Sequence, residues 1–131
     1  MRARRGGRGA LGARHRREDR RIRVRATDGD ERLTAADLGA PLGERATLVQ
    51  FSSAFCAPCR ATRRVLAEVS AMVEGVRHVE IDAEAQLDLV RRLHILKTPT
   101  VLVLDAAGAV VRRASGQPRR ADVIAALGAA V

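Results

Sequence analysis

The chain has two cysteines, Cys56 and Cys59, spaced C-x-x-C within "VQFSSAFCAPCRATRRVL", between an apolar strand-like run and a basic amphipathic run. Two sulfurs at this spacing can be a redox pair, half of a metal site, or two small hydrophobes that happen to lie close together. A structural zinc site needs four ligands, and its histidines usually stand three to five residues apart. The remaining candidates here are His15, near the N-terminus, and His78 and His94, which are sixteen positions apart. The sequence therefore argues against metal, and both His78 and His94 read as ordinary surface or partly buried residues. An inert pair would make the strand before the cysteines and the proline between them coincidental.

A C-x-x-C where a strand enters a helix has a definite use. It sets the first sulfur at the helix N-terminus, where unpaired N–H groups and the macrodipole favour a thiolate. Cys56 is thus the expected nucleophile. Pro58 suits an opening helical turn, where no backbone donor is needed, so Ala57 and Pro58 can hold the sulfurs within bonding distance. Cys59, one turn further in, is better shielded and suited to resolve a mixed disulfide. Arg60 and Arg63 add positive charge nearby, but surface arginines on a helix more often form a solvated face.

The surrounding elements follow from periodicity. Ile22, Val24 and Ala26 alternate as in a half-buried first strand, and "TDGDE" reads as a turn. Thr34 with Asp37 has the form of a capping box, which predicts a short helix over residues 35–38. Residues 47–52 form a β-rich run into the cysteines. Val65, Leu66, Val69, Met72 and Val73 recur at helical spacing until Gly75. Residues 76–82 read as a strand, and Leu87, Val90 and Leu93 give the next helix one apolar face. "TVLVLD", the turn "DAAG" and "AVVRRASG" predict a hairpin, and residues 121–130 a last helix with Val123, Ile124 and Leu127 inward. The order β-α-β-α-β-α-β-β-α predicts an α/β fold, a central mixed sheet with helices on both faces.

At 131 residues and 47% apolar content, the chain suits one ordinary domain. Residues 1–25 carry eleven Arg against Glu18 and Asp19, a surplus of nine that accounts for the whole formal +9, while the rest is neutral. Residues 1–20 mix Arg with Gly and lack an apolar run, so a disordered basic tail is expected ahead of a domain over residues 21–131. The plain reading of that tail is a solvated arm or a mis-called leader; the alternative is weak, nonspecific binding to nucleic acid or anionic membrane. No secretory signal or bilayer-spanning segment is legible. A cytoplasmic monomer is expected, with an extracytoplasmic location as the alternative if the start site is mis-called.

"FCAPC" after a buried strand, with "KTPT" ahead of a hairpin, resembles the thioredoxin superfamily over residues 22–131. Members carry a C-x-x-C at a helix start and a cis proline well downstream, and 39 residues separate Cys59 from Pro99 here. The resemblance implies a five-stranded sheet of order 1-3-2-4-5 and a cis Thr98–Pro99 bond. It implies a substrate groove shaped by Phe55, Ala57, Pro58, Thr98, Pro99 and Gly116, where the backbone of Thr98 meets an extended peptide. No metal or bound organic cofactor is implied. The implied partners are disulfide-containing proteins and an electron donor, such as a thioredoxin reductase or a membrane thiol carrier.

Three residues depart from that pattern. Phe55 stands where thioredoxins have Trp, Ala57 where they have Gly, and Gln50 where they have a buried Asp. Membrane-anchored thioredoxin-like proteins tend to have an amide at that last position, and "ATDGDERLTAADLG" resembles their leading segment, although this chain lacks their usual central insertion. In the family the buried acid can take the proton that the resolving cysteine loses. Gln50 cannot, so slower resolution is expected unless the residue is only a satisfied polar group of the core. The reading is a thiol–disulfide oxidoreductase, with a non-catalytic adaptor of the same fold as its rival.

Overall fold

The computed structural model describes residues 24–131. The expected basic tail and Ile22 lie outside them. The elements are β1 (Arg25–Ala26), α1 (Ala35–Leu38), β2 (Ala46–Ser52), α2 (Ala57–Met72), β3 (Val76–Asp82), α3 (Leu87–Arg92), β4 (Thr100–Asp105), β5 (Val110–Ser115) and α4 (Arg120–Ala130). Their order is the one the periodicity predicts.

The strand β2 is buried along all seven residues, because it lies between parallel β3 and antiparallel β4 with a helical layer on each face. Its alternation splits the core. Val49 and Phe51 join Leu38, Leu89, Leu93 and Leu102 on one face, while Ala46 and Leu48 join Leu66, Val69, Val123 and Leu127 on the other. Gln50 belongs to the second row and is 0% exposed, a polar residue where the pattern calls for an apolar one.

The strand order is β1-β5-β4-β2-β3, which corrects the expected 1-3-2-4-5 at one strand. β1 pairs antiparallel with Arg112 and Arg113 of β5 instead of lying beside β3. The segment after it keeps hydrogen bonding along the β4–β5 hairpin: Thr27 N–H donates to Val111 O at 3.2 Å, Val110 N–H to Glu31 O at 2.9 Å, and Leu33 N–H to Gly108 O at 2.9 Å. Gly108 permits that approach, since a Cβ there would stand 2.2 Å from Leu33 O and its φ is +89°. β3 is left as an edge strand among the described residues. It presents exposed Arg77, Glu80 and Asp82, the charged pattern that discourages edge-to-edge pairing.

Four side chains expected inward face out instead. Ala26 is exposed, because its two-residue strand lies on the sheet's edge. Met72 is exposed because α2 ends at that residue. In α3 the buried residue is Leu89, with Leu93 buried just past the helix end, leaving Leu87 outward at the first position. In α4 the inward stripe is Val123, Ala126, Leu127 and Ala130, so Ile124 lies at its margin. No helix among the described residues is long and apolar enough to cross a membrane.

Candidate active site

The buried β2 delivers the chain to the surface at Ser53, and α2 begins four residues later. Between them Phe55 adopts a left-handed conformation with φ 58° and is wholly exposed. That turn sets Cys56 as the N-cap of α2, in extended geometry, with its Sγ accepting the Cys59 N–H at 3.2 Å. Pro58 lies in the first turn, where its missing N–H costs nothing.

Cys56 and Cys59 form a disulfide with their Cα atoms 5.2 Å apart. Their exposures differ: Cys56 is partly open, whereas Cys59 is 1% exposed. One sulfur of the bond can be reached from solvent, and the other lies behind it.

The Thr98–Pro99 bond is cis. The Thr98 hydroxyl lies 3.9 Å from Cys56 Sγ, so residues 42 positions apart share one site. Gly116 N–H donates to Pro99 O at 2.7 Å, which ties the end of β5 to the proline loop. Ala57 and Pro58 are exposed beside Cys56, and Pro99 and Gly116 are buried. The expected groove residues thus divide into an open rim and a buried support.

Gln50 lies on the inner side of the pair. Its Nε2 donates to Cys59 O at 2.8 Å and to Ser52 Oγ at 2.9 Å. With both donors so used, Oε1 is the acceptor, and His78 meets it with Nε2 at 3.3 Å. His78 therefore presents Nε2–H to the amide. It is half-buried, and burial holds its imidazole below the usual histidine range, with Arg63 acting in the same direction and Glu80 against it.

Arg63 does not turn its charge to the sulfurs. It grips Glu80 through two bonds of 2.7 Å, and those bonds hold the Glu80 carboxyl below its usual range. Together with Ser52, Ser53, Ala54 and Asp82, this pair lines a cleft of about 340 Å³ beside the helix start. Arg60 is exposed.

Sequence reasoning missed Ser52, Ser53 and the role of His78. Ser53 Oγ lies 2.7 Å from Thr98 Oγ1. The available signal was "SS" between a buried strand and a cysteine motif, a place where hydroxyls meet whatever the fold brings across. His78 had none, since its contact depends on the parallel register that sets it beside Leu48 and Gln50 beside Glu80. His94 is exposed with φ 55°, and among the described residues no group of three metal-ligating side chains converges.

The Thioredoxin family profile matches residues 34–129, a span that holds the cysteine pair and the cis proline. The chain belongs to the thioredoxin family. A human relative, thioredoxin domain-containing protein 2, is 38% identical over 71 residues, which is 52% of this chain and 13% of that protein. The chain thus spans about an eighth of that relative's length. Among solved structures, chloroplastic thioredoxin z is 25% identical with a TM-score of 0.58, covering 66% of this chain and 78% of that one. Fasciola hepatica thioredoxin is 18% identical with a TM-score of 0.59, covering 68% and 84%. The second likeness is one of fold. This thioredoxin-family domain, with its closely placed cysteine pair, has the parts of a thiol–disulfide oxidoreductase.

Proposed function

We propose that the protein exchanges the Cys56–Cys59 dithiol for disulfides in protein substrates. The observation that carries the reading is the asymmetry of the pair: Cys56 is a partly open helix N-cap, and Cys59 is shielded one turn behind. In the reducing direction the Cys56 thiolate attacks a substrate disulfide, one substrate sulfur leaves as thiolate, and a mixed disulfide forms. The Cys59 thiolate then attacks Cys56 Sγ, expelling the second substrate sulfur and closing the intramolecular disulfide. Two electrons pass to the substrate. The N–H groups at the start of α2 stabilise the Cys56 thiolate and so keep it available for the first attack.

Exposed Phe55 and the Thr98–Pro99 loop offer an apolar rim and a backbone edge on either side of Cys56, which suits an extended peptide. An external dithiol donor, such as a thioredoxin reductase or a membrane thiol carrier, regenerates the protein. An insulin-reduction assay tests this. The wild type should reduce insulin, Cys56→Ser should not, and Cys59→Ser should accumulate a mixed disulfide through Cys56. Trapping through Cys59 in the Cys56→Ser protein would reverse the roles, and activity absent from the wild type would leave an adaptor.

A further inference from the structure

Two hydroxyls link the end of β2 to the reactive sulfur. Ser53 Oγ is 2.7 Å from Thr98 Oγ1, and Thr98 Oγ1 is 3.9 Å from Cys56 Sγ with the hydroxyl as donor. Each hydroxyl has one proton to give. When that of Thr98 turns to sulfur, the Ser53–Thr98 bond must run from Ser53 to Thr98. We propose that Ser53 is a positioning residue for the nucleophile: it holds the Thr98 hydroxyl with its proton toward Cys56 and so stabilises the Cys56 thiolate. This rests on Cys56 being the attacking cysteine of the exchange reaction above.

The relay discriminates between oxidation states. A disulfide sulfur is a weak acceptor, whereas a thiolate carries a full charge and takes a charge-assisted bond. On reduction, an external dithiol is oxidised to its disulfide and gives two electrons to the Cys56–Cys59 bond. Cys56 is left as thiolate and Cys59 as thiol, with one of the dithiol's protons on Cys59 and the other in solvent. The hydroxyl chain gains strength only in that product, and a second hydroxyl behind the first polarises it further. It therefore favours the reduced form and a more acidic Cys56.

The charged groups on the neighbouring segments are Arg60 and Arg63 of α2, Glu80 and Asp82 of β3, and Lys97 of the proline loop. They are common to every variant below. Their effect therefore cancels when variants are compared.

The test measures two quantities on the reduced full-length protein: the pH dependence of Cys56 alkylation by iodoacetamide, and the thiol–disulfide equilibrium with glutathione. Ser53→Ala is expected to shift the equilibrium about threefold toward the disulfide and to move the alkylation profile to higher pH. Ser53→Thr should restore both. Thr98→Val should have the same or a larger effect, and adding Ser53→Ala to Thr98→Val should change nothing more, because the relay is already cut. Ser53→Ala with an unchanged profile, or with its full effect still present beside Thr98→Val, overturns the proposal. Should Ser53→Ala not fold, Thr98→Val against Thr98→Ser carries the test, and equal profiles for those two reject the relay. A wild type whose Cys56 is unreactive would sink the exchange function and the relay together. An active wild type indifferent to Ser53 rejects the relay alone.

Discussion

Gln50 donates from Nε2 to the carbonyl oxygen of Cys59 at 2.8 Å, so the central strand is tied directly to the helix turn that carries the shielded cysteine of the pair. The amide is fully used, with Ser52 taking its second N–H and His78 supplying its acceptor with a proton. A carboxylate at this place has no proton to offer the Cys59 carbonyl. Exchanging Gln50 for an acid would therefore replace a structural donor with a proton acceptor.

Gln50→Asp tests both sides of that exchange. The fold should lose about 1–3 kcal/mol, because the donor to Cys59 O is lost and a buried carboxyl appears, whose pKa desolvation will raise. Resolution of a preformed Cys56 mixed disulfide should become faster near neutral pH, since the new carboxylate can take the Cys59 proton. Denaturant unfolding and stopped-flow resolution measure the two effects. An intact fold with an unchanged rate would leave Gln50 with its structural task alone.

His78 gives the fold a pH dependence of definite sign. Burial lowers its folded-state pKa below the unfolded value, so above the unfolded value, about 6.5, both states are neutral and the group contributes no pH dependence. As pH falls through that value the unfolded chain takes up a proton that the folded one resists, and stability drops until the lowered folded pKa is passed. The Arg63-paired Glu80 adds a loss of its own at lower pH, as its depressed folded pKa is approached. His78→Gln should flatten the first of these two falls and leave the second. Thermal melts between about pH 2 and 8 separate them, and a His78→Gln curve parallel to wild type would remove His78 from the account.

Much of the fold is legible because its signals are local. The strands over 76–82 and 100–105 match their sequence runs, and the Thr34–Asp37 capping box is present with both hydrogen bonds. Strand order is a different kind of information. Nothing in Arg25 and Ala26 says which edge of the sheet they join; the backbone bonds of the next seven residues to the hairpin decide it. The cysteine pair and Pro99 stand out as motifs, whereas Ser53 and His78 acquire partners only through contacts 45 and 28 positions away. A single sequence carries the residue types at such places but not the register that joins them.

Phe55 separates stability from activity. It is a bulky residue at φ 58° with its ring wholly exposed, so it bears the left-handed cost of roughly 1–2 kcal/mol without packing to offset it. Glycine takes that conformation freely but also loosens the unfolded chain, a cost of about 0.5–1 kcal/mol. Phe55→Gly should therefore be as stable as wild type or more so, by up to about 1.5 kcal/mol. It should also reduce protein disulfides more slowly, because in the proposed exchange the solvated ring beside Cys56 is the apolar surface offered to a substrate peptide. A small disulfide such as oxidised glutathione needs little of that surface and should be reduced at nearly the wild-type rate. Equal losses on protein and small substrates would mean that the ring shapes the Cys56 turn itself, and a less stable Phe55→Gly protein would mean that it packs in solution.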